Sequence, residues 1–358
     1  MDSLRDCINR IPSLLTKIID NKEVNIADTL NKEKAFIKNA DELVYIGSGT
    51  SLTSISTAKK FAQKVSGIRI SIYNPNEFLN DEYIYNPNAI YIIVSQTGNS
   101  VVTRNALQFL QEKGYCVFAM SESADTKIAK DAKYHIDMGC GYEEYPTRTI
   151  GYTTTVFTSM LIAMQVAIIK ESITQQDYDG YIEEAKASIA NHRNVSDSTY
   201  EWLTFNKRKM LRSSCLLFVG SGELLPVAQE AAVKVWEIPQ IPAFGYETEE
   251  CLHGPNYGFN STHCVIVLNG GGDDESKMMA LGRYVKDIFK NGFIIGQQVY
   301  NDEDLLFTPK SDNFKFIEFS AAIQILAYRL ADDGGRDLYA PHDNSVMESY
   351  FITHDESK

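Results

Sequence analysis

The sequence predicts an α/β protein of two tandem domains, each a parallel sheet flanked by helices on both faces. Three observations carry that prediction. The chain has 358 residues, and at about 150 residues per domain that length points to two domains. One pattern is written twice: LVYIGSGTSLTSISTAKKF from Leu43 and LLFVGSGELLPVAQEAAVKV from Leu216. Each is a β-branched and aromatic run, then Gly-Ser-Gly, then a helical periodicity. The spacing repeats as well. Gly47 and Gly220 lie 220 − 47 = 173 positions apart, and so do Val94 in AIYIIVSQTGNS and Val267 in HCVIVLNGGGDD. One offset shared by two separate motifs indicates an internal duplication.

Between these anchors strands alternate with helices. In the first half Ile70–Tyr73 follows the first helix, and Cys116–Ala119 follows a helix around Thr103 to Glu112. In the second half Gly292–Gly296 and Phe314–Glu318 supply the matching strands. Near-continuous apolar strands alternating with helices signal parallel sheets covered on both faces. Residues 171–212 are polar, carry helical spacing and read as a helical connection. Tyr152 to Ile169 reads as a long helix closing the first half. The expected organisation is therefore residues 1–170 as an N-terminal helix plus the first domain, 171–212 as the connection, 213–340 as the second domain and 341–358 as a tail.

Composition narrows the function. Hydrophobic residues make up 44% and charged residues 23%, ordinary for a soluble globular chain. With 34 basic and 47 acidic residues the net charge is −13. No basic block offsets it, so neither nucleic acid nor an anionic membrane is an expected partner. The most apolar segment, Met160 to Ile169, is too short to span a bilayer and contains Gln165. The N-terminus, MDSLRDCINRIPSLLTKIID, has no signal-peptide core, and the expected location is the cytoplasm. Cys7, Cys116, Cys140, Cys215, Cys251 and Cys264 include no C-x-x-C pair and read as reduced or buried thiols, with no structural zinc. No cofactor is expected.

A strand, a glycine turn and a helix make a recurrent phosphate site, because N–H groups at a helix start are unpaired and the dipole favours an anion. The dinucleotide fingerprint fails, with Leu52 and Leu225 where its third glycine belongs, and the P-loop Gly-Lys-Ser/Thr is absent. The remaining model is a hydroxyl-lined pocket for a small phosphate ester. Thr50 and Ser51 follow Gly49, while Ser95, Gln96, Thr97, Asn99 and Ser100 crowd the end of the second strand. Thr153, Thr154 and Thr155 open the long helix. Any one cluster fits plain helix caps. All three lie where open α/β sheets place ligands. In the second half, Gly220-Ser-Gly-Glu and Asn269-Gly-Gly-Gly-Asp-Asp are poor phosphate cradles, so one half is expected to bind and the other to support.

The second half carries acid–base candidates. Glu237 ends an apolar helix beside Trp236, where an unpaired carboxylate would have a raised pKa suited to a general base. His253 stands in the rigid turn Leu252-His-Gly-Pro255 and is able to shuttle a proton. Glu247, Glu249 and Glu250 read as a solvated face. No Ser-His-Asp or metal-ligand spacing stands out, and His135, His192, His263, His342 and His354 form no pattern.

Taken together, Gly47-Ser-Gly-Thr-Ser51, Ser95-Gln-Thr-Gly-Asn-Ser100, the Gly151 to Thr155 turn, Glu237 and Leu252-His-Gly-Pro255 resemble the double sugar-isomerase (SIS) domain family. The likeness extends to the isomerase half of glutamine–fructose-6-phosphate aminotransferase and covers nearly the whole chain. The resemblance implies two SIS-type domains. It implies Ser95, Gln96, Thr97 and Ser100 around the phosphate of a hexose 6-phosphate, and Thr50, Ser51, Thr154 and the backbone at Tyr152 near the sugar. It also implies Glu237 moving a proton between C1 and C2, and His253 assisting ring opening from the neighbouring subunit of a homodimer, with the C-terminal tail near the active site.

Two departures qualify this. The chain starts at the helix before the first sugar-isomerase half, so no glutaminase activity is expected. The tail RDLYAPHDNSVMESYFITHDESK has one lysine, Lys358, which puts Schiff-base chemistry through the family's C-terminal lysine in doubt. A double domain keeping Glu237 and His253 is more similar to deglycases of fructoselysine 6-phosphate and related adducts, where the nitrogen belongs to the substrate. Tyr73-Asn-Pro-Asn-Glu-Phe78 also looks like this subgroup, with Glu77 either at the substrate's amine or capping a helix. Specificity is expected from the tail, from Tyr145 to Arg148 and from Asn74 to Tyr83, and Arg148 is either an anion partner or one side of a surface salt bridge. The expected function is deglycation or deamination of a phosphorylated sugar–amine adduct. The alternatives are plain aldose–ketose isomerisation and a phosphosugar sensor without turnover.

Overall fold

The computed structural model describes residues 3–82, 84–145, 147–340 and 345–355. Its strands form two parallel five-stranded sheets. The first contains β1 (Glu42–Gly47), β2 (Arg69–Tyr73), β3 (Ala89–Val94), β4 (Cys116–Ser121) and β5 (His135–Asp137), in the order β2-β1-β3-β4-β5. The second contains β6 (Cys215–Gly220), β7 (Ala243–Glu247), β8 (His263–Asn269), β9 (Gly292–Gly296) and β10 (Leu305–Leu306), in the order β10-β9-β8-β6-β7. Read from its other edge, the second order is that of the first, strand for strand. The duplication seen in the sequence is thus a duplication of topology. It reaches single dihedral angles: Gly49 and Gly222 follow β1 and β6 with φ of 56° and 57°, a left-handed turn that side chains disfavour.

Helices α1 (Leu4–Lys22), α2 (Asp28–Asn31) and α3 (Lys34–Asn39) precede β1. Helices α4 (Thr50–Ser66), α5 (Pro75–Asn80), α6 (Val101–Glu112) and α7 (Lys127–Asp131) link the strands of the first sheet, and α8 (Ile150–Ile169) follows it. After α9 (Gln175–Leu211), the second sheet is linked by α10 (Leu224–Glu237), α11 (Thr248–Leu252) and α12 (Glu275–Tyr284), and followed by α13 (Phe316–Asp333). The tail carries α14 (Ser345–Glu348). The central strands are buried on both faces, with all six residues of β3 inside, as parallel sheets require. Val44, Ile46, Tyr91, Ile93 and Leu107 centre one core, and Val219, Val267, Leu281 and Ile294 the other.

The chain separates into two compact units. The first holds residues 13–180 with the tail after Ala340, and the second holds the residues up to Pro12 with residues 181–340. The sequence reading placed residues 1–170 in one domain and 171–212 in a separate connection, whereas the units divide at 12 and 180. The divisions fall inside α1 and α9 because periodicity marks a helix without saying which core buries each turn.

Two expectations need correction. Phe314–Glu318 is no strand: Phe316 opens α13, and the last strand of the second sheet is the two-residue β10. The alternation Phe-Lys-Phe-Ile-Glu-Phe looks extended, but the buried, all-round apolar helix that follows captures it. Helix α8, begun at Ile150, is long and apolar enough by length and composition to cross a membrane, which the shorter Met160 to Ile169 stretch had not suggested. In the protein it is a core helix, with 89% of that window buried.

Candidate functional site

In the first sheet the chain leaves β1 through α4 to one side and β3 through α6 to the other. The ends of β1 and β3 therefore border the crevice at which open α/β sheets bind ligands. The loop Ser95–Ser100 joins β3 to α6 at that crevice, and Ser48 and Gly49 join β1 to α4 beside it. Thr50 and Ser51, in the first turn of α4, are partly buried, as are Thr97 and Ser100. The Ser100 hydroxyl lies 2.8 Å from that of Thr103 in the first turn of α6. The structure thus brings Thr50, Ser51, Ser95, Thr97 and Ser100 to one edge of the first unit.

Gln96, Tyr152 and Thr154 are turned inward. The Gln96 side chain is 9% exposed and donates from Nε2 to Glu143 Oε2 at 3.5 Å. Tyr152 and Thr154 are fully buried. The Tyr152 hydroxyl meets Thr57 Oγ1 on α4 at 2.9 Å, and Thr154 donates to Ile150 O at 3.0 Å. The Tyr152 hydroxyl joins α8 to α4, while the Thr154 hydroxyl bonds within its own helix. Close packing explains Gly151: an ideal Cβ there would lie 1.8 Å from Gln96 Oε1. Gly151→Ala is expected to destabilise the protein by about 1–3 kcal/mol through overpacking. It should also displace Gln96 and with it the loop, which thermal unfolding and a phosphosugar titration would measure together.

The tail lies along this loop. Val101 N donates to Thr353 O at 3.2 Å, and Asp355 N donates to Asn99 O at 2.9 Å. The Asp355 carboxylate pairs with Arg104 at 3.1 Å and Lys127 at 3.0 Å. Arg104, Asn105 and Gln108 of α6 and Glu348, Ile352 and His354 of the tail line a cavity of about 630 Å³, so the tail is pinned near its end and stands off α6 before it. Asp355→Asn is expected to change stability by less than about 1 kcal/mol, because the pair is partly solvated. It should nonetheless speed proteolysis at the exposed Tyr350 and Phe351, seen by limited digestion. Lys358 and His342 lie outside the described residues.

In the segments expected to set specificity, Arg148 donates from Nη1 to the backbone oxygens of Glu143 at 3.0 Å and Tyr145 at 3.1 Å. Asn74, not Glu77, caps α5: its Oδ1 accepts from Glu77 N at 2.9 Å while its Nδ2 donates to Glu77 Oε2 at 3.1 Å. Pro146 and Tyr83 lie outside the described residues.

In the second unit, Glu237 ends α10 but is neither unpaired nor enclosed by apolar groups. Its carboxylate is 39% exposed and lies 2.5 Å from Lys234 Nζ, whose side chain is fully buried. Lys234 also faces the fully buried Glu230 at 3.4 Å. The desolvation expected from Trp236 is therefore replaced by an ion pair, because Trp236 turns outward and donates to Ala243 O. A charged triad Glu230–Lys234–Glu237 takes its place, one the sequence reading missed although the spacing i, i+4, i+7 puts all three on one helix face. His253, after α11, is 65% exposed, with Nδ1 2.9 Å from Glu249 O and 3.7 Å from Glu249 Oε1. Among the described residues no hydrogen bond or ion pair joins it to Glu237. Glu249, read as part of a solvated face, also pairs with Lys277.

The phosphate-like position of the second unit is filled. Lys315 Nζ bridges Gly270 O after β8 at 3.0 Å and Glu223 after β6 at 3.2 Å. An internal ammonium thus ties together the loops after β6 and β8, which correspond in topology to the loops after β1 and β3. All six cysteines are free, and burial pushes the Cys116 and Cys264 thiols up to about 12. No cluster of three or more His, Cys, Asp or Glu able to hold a metal occurs among the described residues.

Comparison with known proteins adds to this geometry. Glutamine–fructose-6-phosphate aminotransferase (isomerizing) of Vibrio parahaemolyticus is 25% identical over 338 residues, 90% of this chain and 53% of that protein. A solved phosphosugar-isomerase candidate from Clostridium difficile 630 superposes with a TM-score of 0.88 at 25% identity, covering 98% of both chains. The C-terminal domain of glucosamine-fructose-6-phosphate aminotransferase from Francisella tularensis superposes with a TM-score of 0.82 at 19% identity, covering 94% of this chain and 96% of that one. The fold is that of tandem sugar-isomerase domains. The chain accordingly fits the SIS family. No family model matches it. This tandem SIS chain spans about half the length of the curated relatives it matches.

Proposed function

We propose that this tandem SIS protein is a cytoplasmic, homodimeric enzyme that binds a phosphorylated sugar–amine adduct and releases the amine by proton transfer between C1 and C2. The observation that carries the reading is the hydroxyl-rich loop Ser95–Ser100, set at the first sheet's crevice and at the start of α6. Hydroxyls and first-turn N–H groups suit a phosphate dianion in a protein whose overall charge would repel one. Glu237 then serves as the base, with Lys234 holding its carboxylate in place. The proton leaves C1 of the ketoamine and one is returned at C2. The product is a C1 imine, and water splits it into amine and aldose 6-phosphate. His253, exposed and not joined to Glu237, is available to a neighbouring subunit for ring opening.

Aldose–ketose isomerisation is the second reading, and the likeness to the Clostridium difficile phosphosugar-isomerase candidate favours it. It uses the same proton transfer without loss of nitrogen. A coupled assay on fructose 6-phosphate, glucosamine 6-phosphate and several 6-phosphorylated fructosyl-amino acids separates the readings. Released amine together with aldose phosphate supports the proposal. Isomerisation without amine puts the isomerase first, and silence with a phosphosugar-induced rise in Tm identifies a sensor.

A further inference from the structure

Glu143 lies between β5 and α8 and is 2% exposed. Its Oε1 accepts from Thr149 N at 2.6 Å, Thr149 Oγ1 at 2.7 Å and Ile150 N at 2.9 Å. Its Oε2 accepts from Gly151 N at 3.1 Å and Gln96 Nε2 at 3.5 Å. A carboxylate from six residues upstream thus does the work of an N-cap for α8, since Thr149 makes no cap bond of its own. The positive end of a 20-residue buried helix, a natural place for an anionic ligand, is filled by the protein itself.

The same carboxylate reaches the loop. Gln96 meets it through its amide nitrogen. Its amide oxygen packs against Gly151. The backbone is held as well, with Ser95 N on Met120 O at 3.1 Å and Glu122 N on Gln96 O at 2.9 Å. A cap alone would need no contact with Gln96.

We propose that Glu143 is a positioning residue of the phosphosugar site, acting through Gln96: it fills the start of α8 and clamps the loop Ser95–Ser100, so that an incoming phosphate is directed to the start of α6. This rests on the phosphosugar reading of that loop. It assigns Gln96 a place behind the site, as the joint between loop and clamp.

The test uses the full chain with Glu143→Gln, Gln96→Leu and the double substitution. The readouts are the fructose 6-phosphate Kd and amide hydrogen exchange across Ser95–Ser100. Glu143→Gln retains one oxygen for the α8 N–H groups and turns an amide nitrogen toward Gln96, which breaks the clamp. Each single change is expected to weaken binding about tenfold or more, the size of a lost hydrogen bond to a charged group, and to speed loop exchange. The double change should be no worse than the worse single, because both break one linkage. A lowered Tm with wild-type Kd and wild-type loop exchange would overturn the proposal, and so would effects that multiply. If Glu143→Gln does not fold, Gln96→Leu decides, because it leaves the helix contacts of Glu143 intact; unchanged loop exchange then refutes the clamp. Failure of the wild-type protein to bind any phosphosugar would refute the functional reading instead, while the exchange data still judge the clamp.

Discussion

Glu237→Gln is expected to lower kcat by about 10²- to 10⁴-fold, the range general acid–base catalysis supplies, while the Kd for a phosphosugar changes little. The reason is positional. Glu237 ends α10 and is none of the hydroxyl-bearing residues proposed to hold the phosphate, so the substitution is expected to spare binding. The amide is nearly isosteric but does not accept a proton at neutral pH. Lys234 keeps Glu230 as its partner, so stability should fall only slightly. Steady-state kinetics with calorimetric binding checks this, and full turnover in the variant would remove Glu237 from the mechanism.

Lys234→Met should have the largest effect on stability. The ammonium is fully buried between Glu230 and Glu237. Removing it leaves the fully buried Glu230 without its cation, a change that costs about 3–5 kcal/mol. Glu237 is partly solvated and adds less. At about 2–4 °C per kcal/mol for a domain of this size, Tm should drop on the order of 10 °C. Lys234→Met combined with Glu230→Gln should recover most of that loss, since the uncompensated charge goes with its partner. The double variant should still be inactive if Lys234 holds Glu237 in its working state. Recovery of activity along with stability would make the lysine structural only.

Much of this protein is legible in order along the chain. The Gly-Ser-Gly turns, the shared offset and the apolar strands are local signals, and they become β1 with β6, β3 with β8 and the left-handed Gly49 and Gly222. Phe314–Glu318 misled for the complementary reason: five residues of this pattern fit a strand or a helix start, and only the buried turns beyond it decide. Glu230 and Lys234 were readable from helix spacing, yet burial is what turns a surface pattern into a charged triad. Glu143 had no signal at all, because a carboxylate that caps a helix six residues away through a loop obeys no period.

By itself the sequence determined the α/β class, the duplication, the hydroxyl loop and the two acid–base candidates, because each depends on residue type and short spacing. The tertiary structure decided which hydroxyls are buried, that the start of α8 is capped by Glu143 and what charge stands beside Glu237. Those depend on which groups meet across the fold. A buried polar group must find a partner wherever the packing supplies one, and for Gln96 that partner is Glu143, 47 residues further along the chain.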